Sequence, residues 1–215
     1  DTNKGDQAKP NYRSRLVAKE YKINNQPELY AATPPTECMR LLISRAAEKK
    51  TNKMIYIDIS RAYFYAKSVR PTYVKLLAED PRSSDPTCCG RLLMSMYGTR
   101  DAAANWAAEY GATLIAAGYV QGRASPCIFH NSKSNTTIMV HGDDFVGVGR
   151  AAELNRIRSA LEDKYKLKVE TLSGEKEDVQ EVKILNKIIR WTDRGVELEA
   201  DPRHAEIVVR ELGLE

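Results

Sequence analysis

Ile138-Met139-Val140-His141-Gly142-Asp143-Asp144-Phe145-Val146-Gly147-Val148 is the stretch on which the reading of this chain turns. Apolar and β-branched residues lie on both sides of a short polar break. That pattern predicts two strands meeting at a tight turn. Two adjacent carboxylates at such a turn repel each other, and a bound divalent cation removes that cost. An Asp-Asp pair at a hairpin is also a common solvated turn, so the pair needs a partner elsewhere in the chain. Met54-Ile55-Tyr56-Ile57-Asp58-Ile59 supplies one. It reads as a buried strand with a carboxylate, Asp58, set into it, and such a group costs free energy unless it is paired or binds a cation. Three carboxylates converging from separate strands suit a hard cation such as Mg²⁺. Two such ions form the clamp used in phosphoryl transfer.

Working outward, Cys127-Ile128-Phe129-His130 reads as a strand paired with Ile138–His141. A helix carrying Leu154, Ile157, Leu161 and Tyr165 follows. Upstream, Thr33-Pro34-Pro35-Thr36 breaks the chain before a helix with Met39, Leu42, Ile43, Ala46 and Ala47 at helical spacing. A short strand over Thr72–Leu77 and a loop over Asp80–Gly90 come next. Leu92–Tyr97 is a strand or a turn, and a helix starts at Asp101, itself a candidate cap. Val182–Trp191 and Val196–Glu199 read as a hairpin. Asp201-Pro202 opens a last helix with Ala205, Val208, Val209 and Leu212 on its apolar face. This order predicts an α+β fold with a largely antiparallel sheet.

With 215 residues the chain is expected to form one domain or a domain and a half. Hydrophobic residues at 42% and charged residues at 29% exclude a disordered chain. No apolar run approaches the ~20 residues of a membrane span. The polar start has neither an initiator Met nor a signal core, and both ends are expected to be cuts from a larger protein. The net charge of +4 permits a polyanionic partner. Lys4, Lys9, Arg13, Arg15 and Lys19 concentrate basic charge near the start. Cys38, Cys88, Cys89 and Cys127, with His130, His141 and His204, lack zinc-ligand spacing. So few cysteines suit a reducing, intracellular compartment.

A rival motif overlaps the same region. Gly147-Val148-Gly149-Arg150-Ala151-Ala152 fits G-x-G-x-x-A between a strand and a helix, the spacing of an NAD(P)-binding turn. Such a strand lies at the centre of a parallel sheet and should be apolar throughout, whereas this one carries Asp143 and Asp144.

Taken together, the motifs resemble the reverse transcriptase domain of copia-type LTR retrotransposons. Arg15-Leu16-Val17-Ala18-Lys19 is similar to the family's R-L-V-A-K opening in the fingers, and Pro34 to Ala47 to the helix that follows it. Asp58-Ile59-Ser60-Arg61-Ala62-Tyr63-Phe64 resembles D-V-x-x-A-F/Y. Ser95 to Trp106 resembles S-L-Y-G-L-K-Q-A-P-R-A-W, with Thr99, Arg100, Asp101 and Ala103 departing from it. His141-Gly142-Asp143-Asp144 stands in the place of Y-x-D-D, with His141 for the Tyr. Ile184–Leu212 resembles the segment leading to the thumb.

The resemblance implies a right-hand polymerase palm, an antiparallel sheet backed by helices, with part of the fingers and the start of the thumb. Residues 1–53 would be the fingers portion, 54–170 the palm, and 171–215 the palm-to-thumb hairpin and helix. It implies an RNA-directed DNA polymerase that joins a dNTP to a primer 3′-hydroxyl on an RNA or DNA template. Asp58 and Asp143 would coordinate two Mg²⁺ ions (Mn²⁺ being an alternative), and Asp144 would complete the cluster. Arg15 and Lys19, with Arg13 beside them, would meet the triphosphate, and which of the three makes contact stays open. Tyr97, Gly98 and Arg100 would line the substrate site. Tyr63 would be either a steric gate against a ribose 2′-hydroxyl or a core aromatic. Integrase and RNase H regions are expected in the parent polyprotein, and a cytoplasmic, virus-like-particle location. Asp101 would bring negative charge toward a negative substrate, unless it caps its helix. The departures and the cut ends also allow an inactive transposon remnant that at most binds nucleic acid.

Overall fold

Residues 2–3, 8–21, 29, 31–199 and 203–214 are described by a computed structural model. Lys4, the Asp201-Pro202 start of the last helix, and the side chains of Arg13 and His204 lie outside the described residues. The first elements are β1 (Thr2–Asn3), β2 (Tyr12–Arg13), α1 (Thr36–Glu48), β3 (Asn52–Ile59), β4 (Tyr73–Val74) and β5 (Gly90–Arg91). Then come α2 (Ala102–Ala116), β6 (Val120–Gln121), β7 (Ile128–Asn131), β8 (Thr136–His141) and β9 (Asp144–Arg150). The last are α3 (Ala151–Glu162), β10 (Leu167–Leu172), β11 (Glu181–Ile184), β12 (Lys187–Thr192), β13 (Gly195–Glu199) and α4 (Arg203–Glu211). The fold is α+β with antiparallel sheets. No helix among the described residues is long and apolar enough to cross a membrane. The chain forms two compact units, one of residues 1–31 and 61–110, the other of residues 32–60 and 111–215.

The second unit is built on a six-stranded sheet in the order β10-β3-β9-β8-β7-β6, antiparallel at every pairing. Strand alternation divides β3 between two faces. Met54, Tyr56 and Asp58 share one face; Ile55, Ile57 and Ile59 share the other. On the first face α1 packs Cys38, Met39, Leu42 and Ala46 against Met54, Met139, Val146 and Val148. Val182, Ile184 and Ile189 of the β11-β12-β13 sheet complete that core. Each such side chain, fully buried, contributes about 1.5–3 kcal/mol. Pro34-Pro35 stops any earlier helical turn, and the Asn52 side-chain amide donates to the Arg45 carbonyl at 2.7 Å in the last turn of α1. On the other face, α3 brings Leu154 against β9.

Three readings need correction. Val182–Trp191 is two strands, not one: Leu185 and Asn186 take φ of +49° and +62° and turn the chain back on itself. That is the two-residue turn with positive φ at both positions, and Leu185 carries no turn signal to betray it. β10 was not expected; its alternation of Leu167, Val169 and Thr171 with charged residues is the mark of an edge strand. The Thr72–Leu77 strand shrinks to Tyr73–Val74, and Leu92–Tyr97 forms no strand beyond an isolated bridge at Met94.

The NAD(P)-binding reading needs a parallel β-α-β unit. Strand β9, which carries Gly147 and Gly149, runs antiparallel to both neighbours. Packing accounts for the two glycines instead. A Cβ on Gly147 would come within 2.8 Å of Ile55 Cγ2, and one on Gly149 within 2.8 Å of Thr136 Oγ1.

Candidate functional site

The aspartates sit at one end of the second unit's sheet. β8 and β9 meet across Gly142-Asp143, with His141 opposite Asp144. Gly142 has φ of +63°, which a glycine adopts without the cost a side chain would carry. In the next pairing Asp144 is the register partner of Asp58 on β3. The Asp143 carbonyl accepts the Ile59 N–H at 2.9 Å, which fixes the turn against the end of β3. On its other edge Asp58 is opposite Lys168 of β10. The fold therefore brings Asp58, Asp143 and Asp144 to one end of three adjacent strands, and all three keep partial exposure.

Tyr56 joins them. It lies two residues before Asp58, hence on the same face, and its hydroxyl donates to Asp144 Oδ1 at 2.5 Å. Burial pushes the Asp144 carboxyl up; the Tyr56 hydrogen bond opposes this, while the Asp143 and Asp58 charges add to it. The Tyr56 hydroxyl is likewise pushed well up, first by burial and then by Asp144, with smaller contributions from Asp58 and Asp143. These couplings mark a cluster of mutually repelling negative charge. Among the described residues, no three His, Cys, Asp or Glu side chains are placed so that they could hold a metal ion. The donor chemistry nonetheless fits one: the cluster offers only carboxylate oxygens, the ligands of hard cations, and a cation would relieve its repulsion.

In the first unit the Arg15–Glu20 segment and the Tyr97–Arg100 turn come together. The Ala18 N–H donates to the Tyr97 carbonyl at 2.8 Å, and the Glu20 N–H to the Gly98 carbonyl at 3.4 Å. Gly98 has φ of +87°, and a Cβ there would lie 1.9 Å from the Ala18 carbonyl oxygen, so only glycine allows this approach. The Arg15 guanidinium stands 4.7 Å from the Tyr97 ring centroid, a cation–π contact. Tyr63 packs on the same ring at 4.7 Å and Phe64 edge-on at 5.6 Å. Lys19 is exposed, and Arg13 belongs to β2.

Asp101 finds a cation here. It is 4% exposed, and Arg70 Nη2 donates to its Oδ1 at 3.2 Å and to Glu20 Oε2 at 2.5 Å. Glu20 Oε2 also accepts the Arg100 N–H at 2.9 Å. Burial raises Asp101, but hydrogen bonds from Arg70 and Asn105 outweigh it and hold the carboxyl below its usual range. Arg70 likewise holds Glu20 low. The charge at Asp101 is thus paired with Arg70 within this unit.

Residues 1–176 match the reverse transcriptase (RNA-dependent DNA polymerase) family. The chain belongs to that family. No curated protein and no solved structure matches the chain. The match covers Asp58, Asp143 and Asp144 as well as the Arg15–Lys19 and Tyr97–Arg100 segments.

Three residues of these sites were not foreseen. Tyr56 was findable from strand parity with Asp58. Glu20 and Arg70 were not, because nothing local signals an ion pair between positions 50 residues apart.

Proposed function

We propose that this chain is the polymerase segment of a copia-type retrotransposon, an RNA-directed DNA polymerase that transfers a nucleotide from a dNTP to a primer 3′-hydroxyl. The observation that carries the reading is the register pairing of Asp58 with Asp144 beside Asp143 at the hairpin turn, in a chain of the reverse transcriptase family. The sheet bearing them is read as the palm within residues 54–170, with a fingers portion in 1–53 and a palm-to-thumb segment in 171–215. Asp58 and Asp143, completed by Asp144, are the residues that would hold two Mg²⁺ ions, with Mn²⁺ as an alternative. The chemistry supplied by ions bound there would be activation of a 3′-hydroxyl and neutralisation of charge on the triphosphate and the leaving pyrophosphate.

The chain's own side chains supply the rest. The Tyr56 hydrogen bond occupies one oxygen of Asp144, which suits the lesser role assigned to that carboxylate. Arg15, Lys19 and Arg13 bring positive charge to a triphosphate, on which charge builds as the bond to the leaving group breaks. Tyr97, Gly98 and Arg100 line the nucleotide site. Tyr63, packed at a tilt against Tyr97, acts as the gate against a ribose 2′-hydroxyl. Partners are a primed RNA or DNA template and dNTP, and integrase and RNase H regions in a parent polyprotein. The expected location is cytoplasmic, in virus-like particles.

Primer extension on an RNA template with Mg²⁺ tests this. Extension by the wild type that is lost in Asp143→Asn supports it. Salt-dependent binding of primer–template without extension would replace it with the inactive-remnant reading.

A further inference from the structure

We propose that Arg70 is a positioning residue: it ties the extended Arg15–Glu20 segment to Asp101, next to the Tyr97–Arg100 turn, and so fixes where the triphosphate-facing cations stand. The proposal rests on the polymerase reading for what those cations do, but not for the tie itself.

Among the described residues, few other contacts hold the extended Arg15–Glu20 segment. Leu16 and Val17 are 55% and 50% exposed, so burial of apolar surface does not pin it. Among the described residues its backbone makes one good hydrogen bond to the turn, from Ala18, and one long one, from Glu20. Arg70 adds a further anchor. One nitrogen, Nη2, donates to Glu20 on the segment and to Asp101 at the start of α2. From Asp101 the connection continues inward: Asn105 donates to Asp101 Oδ2 at 3.1 Å and to Ser95 Oγ at 3.0 Å, and Ser95, 2% exposed, donates to the Lys67 carbonyl. Glu20 Oε2 also accepts the Arg100 N–H, so Arg70 and the turn share one carboxylate oxygen. The arrangement holds two carboxylates on one guanidinium. Without Arg70 the two would repel, and Glu20, the more exposed of them, is expected to be the one that shifts. Arg15, five residues along the same segment, would then leave the Tyr97 ring.

The test compares wild type with Arg70→Gln, Arg70→Lys and Glu20→Gln in the full chain. Amide exchange followed by NMR reads the tie directly. Arg70→Gln is expected to raise exchange at Ala18 by about tenfold or more while the amides of α2 stay protected. Because both contacts come from one nitrogen, Arg70→Lys is expected to restore most of that protection. In primer extension, Arg70→Gln is expected to raise the dNTP KM about tenfold with kcat within about twofold, which a general loss of folding would not do. Should Arg70→Gln fail to fold, Glu20→Gln is expected to raise Ala18 exchange on its own. Unchanged exchange at Ala18 in both variants would overturn the tie. Raised exchange with an unchanged dNTP KM would overturn the positioning role. A wild type that extends no primer would instead sink the polymerase reading, and the exchange result would still stand for the tie.

Discussion

Asp58 faces Asp144 because two antiparallel strands are in register, and Arg15 stands over Tyr97 in a loop region whose anchor is a guanidinium between two carboxylates. In the sheet, backbone hydrogen bonds set the position of each carboxylate, and the surrounding apolar core makes a register slip costly. In the other unit, the extended Arg15–Glu20 segment has few backbone bonds among the described residues and half-exposed apolar side chains, so position depends on individual side-chain contacts. Electrostatics differ in sign as well. Burial, reinforced by neighbouring carboxylates, pushes Asp144 up, whereas Arg70 is the main force lowering Glu20 and helps hold Asp101 low against burial. In the sheet, carboxylates crowd one another. In the other unit, a neutralised pair serves structure.

The contrast can be broken at its tightest point first. Gly98→Ala would set a Cβ against the Ala18 carbonyl at a positive φ, and should cost about 3 kcal/mol. Thermal unfolding would show a fall of roughly 6–12 °C in Tm. A shift near zero would mean the Arg15–Glu20 segment does not approach the turn as closely as described. Next, Tyr56→Phe removes a hydrogen bond to a carboxylate and should cost about 1.5 kcal/mol in urea unfolding. The Arg15–Tyr97 contact should be untouched, since the sheet is held by its own register. An unaltered urea midpoint would show that the Tyr56 hydroxyl is satisfied as well by water.

The smallest effect sharpens the comparison through pH. Glu20 and Asp101 have folded values below the ordinary carboxylate range, so their contribution is fully present above that range and is lost as pH falls through the depressed values. Between pH 5 and about pH 3 the Arg70 tie should lose about 1 kcal/mol, kept small because Arg70 is 36% exposed. Glu20→Gln/Asp101→Asn should flatten that part of the stability profile. An identical acid profile for the double variant would show that neither carboxylate is paired in solution.

The same division decided what could be read from the residues alone. β3, β8 and β9 announce themselves by apolar, β-branched runs, and the aspartates stand out because they interrupt them. α1 follows from its apolar spacing after two prolines. β10 is hard to read because Lys168 and Glu170 interrupt its few apolar residues, so its apolar pattern is thin. The turn at Leu185-Asn186 went unseen because a leucine occupies a position usually given to glycine or asparagine. The pairing of Asp101 was beyond reach: its charge looked misplaced until a distant arginine, 31 residues away, accounted for it.

Primer extension by the wild type and Asp143→Asn, on one RNA template at one Mg²⁺ concentration, tests the central claim most directly. The account predicts extension by the wild type and a loss of about a thousandfold or more in the variant, with little change in Tm, because Asp143 sits at a turn outside the core. Equal extension by both proteins would contradict it.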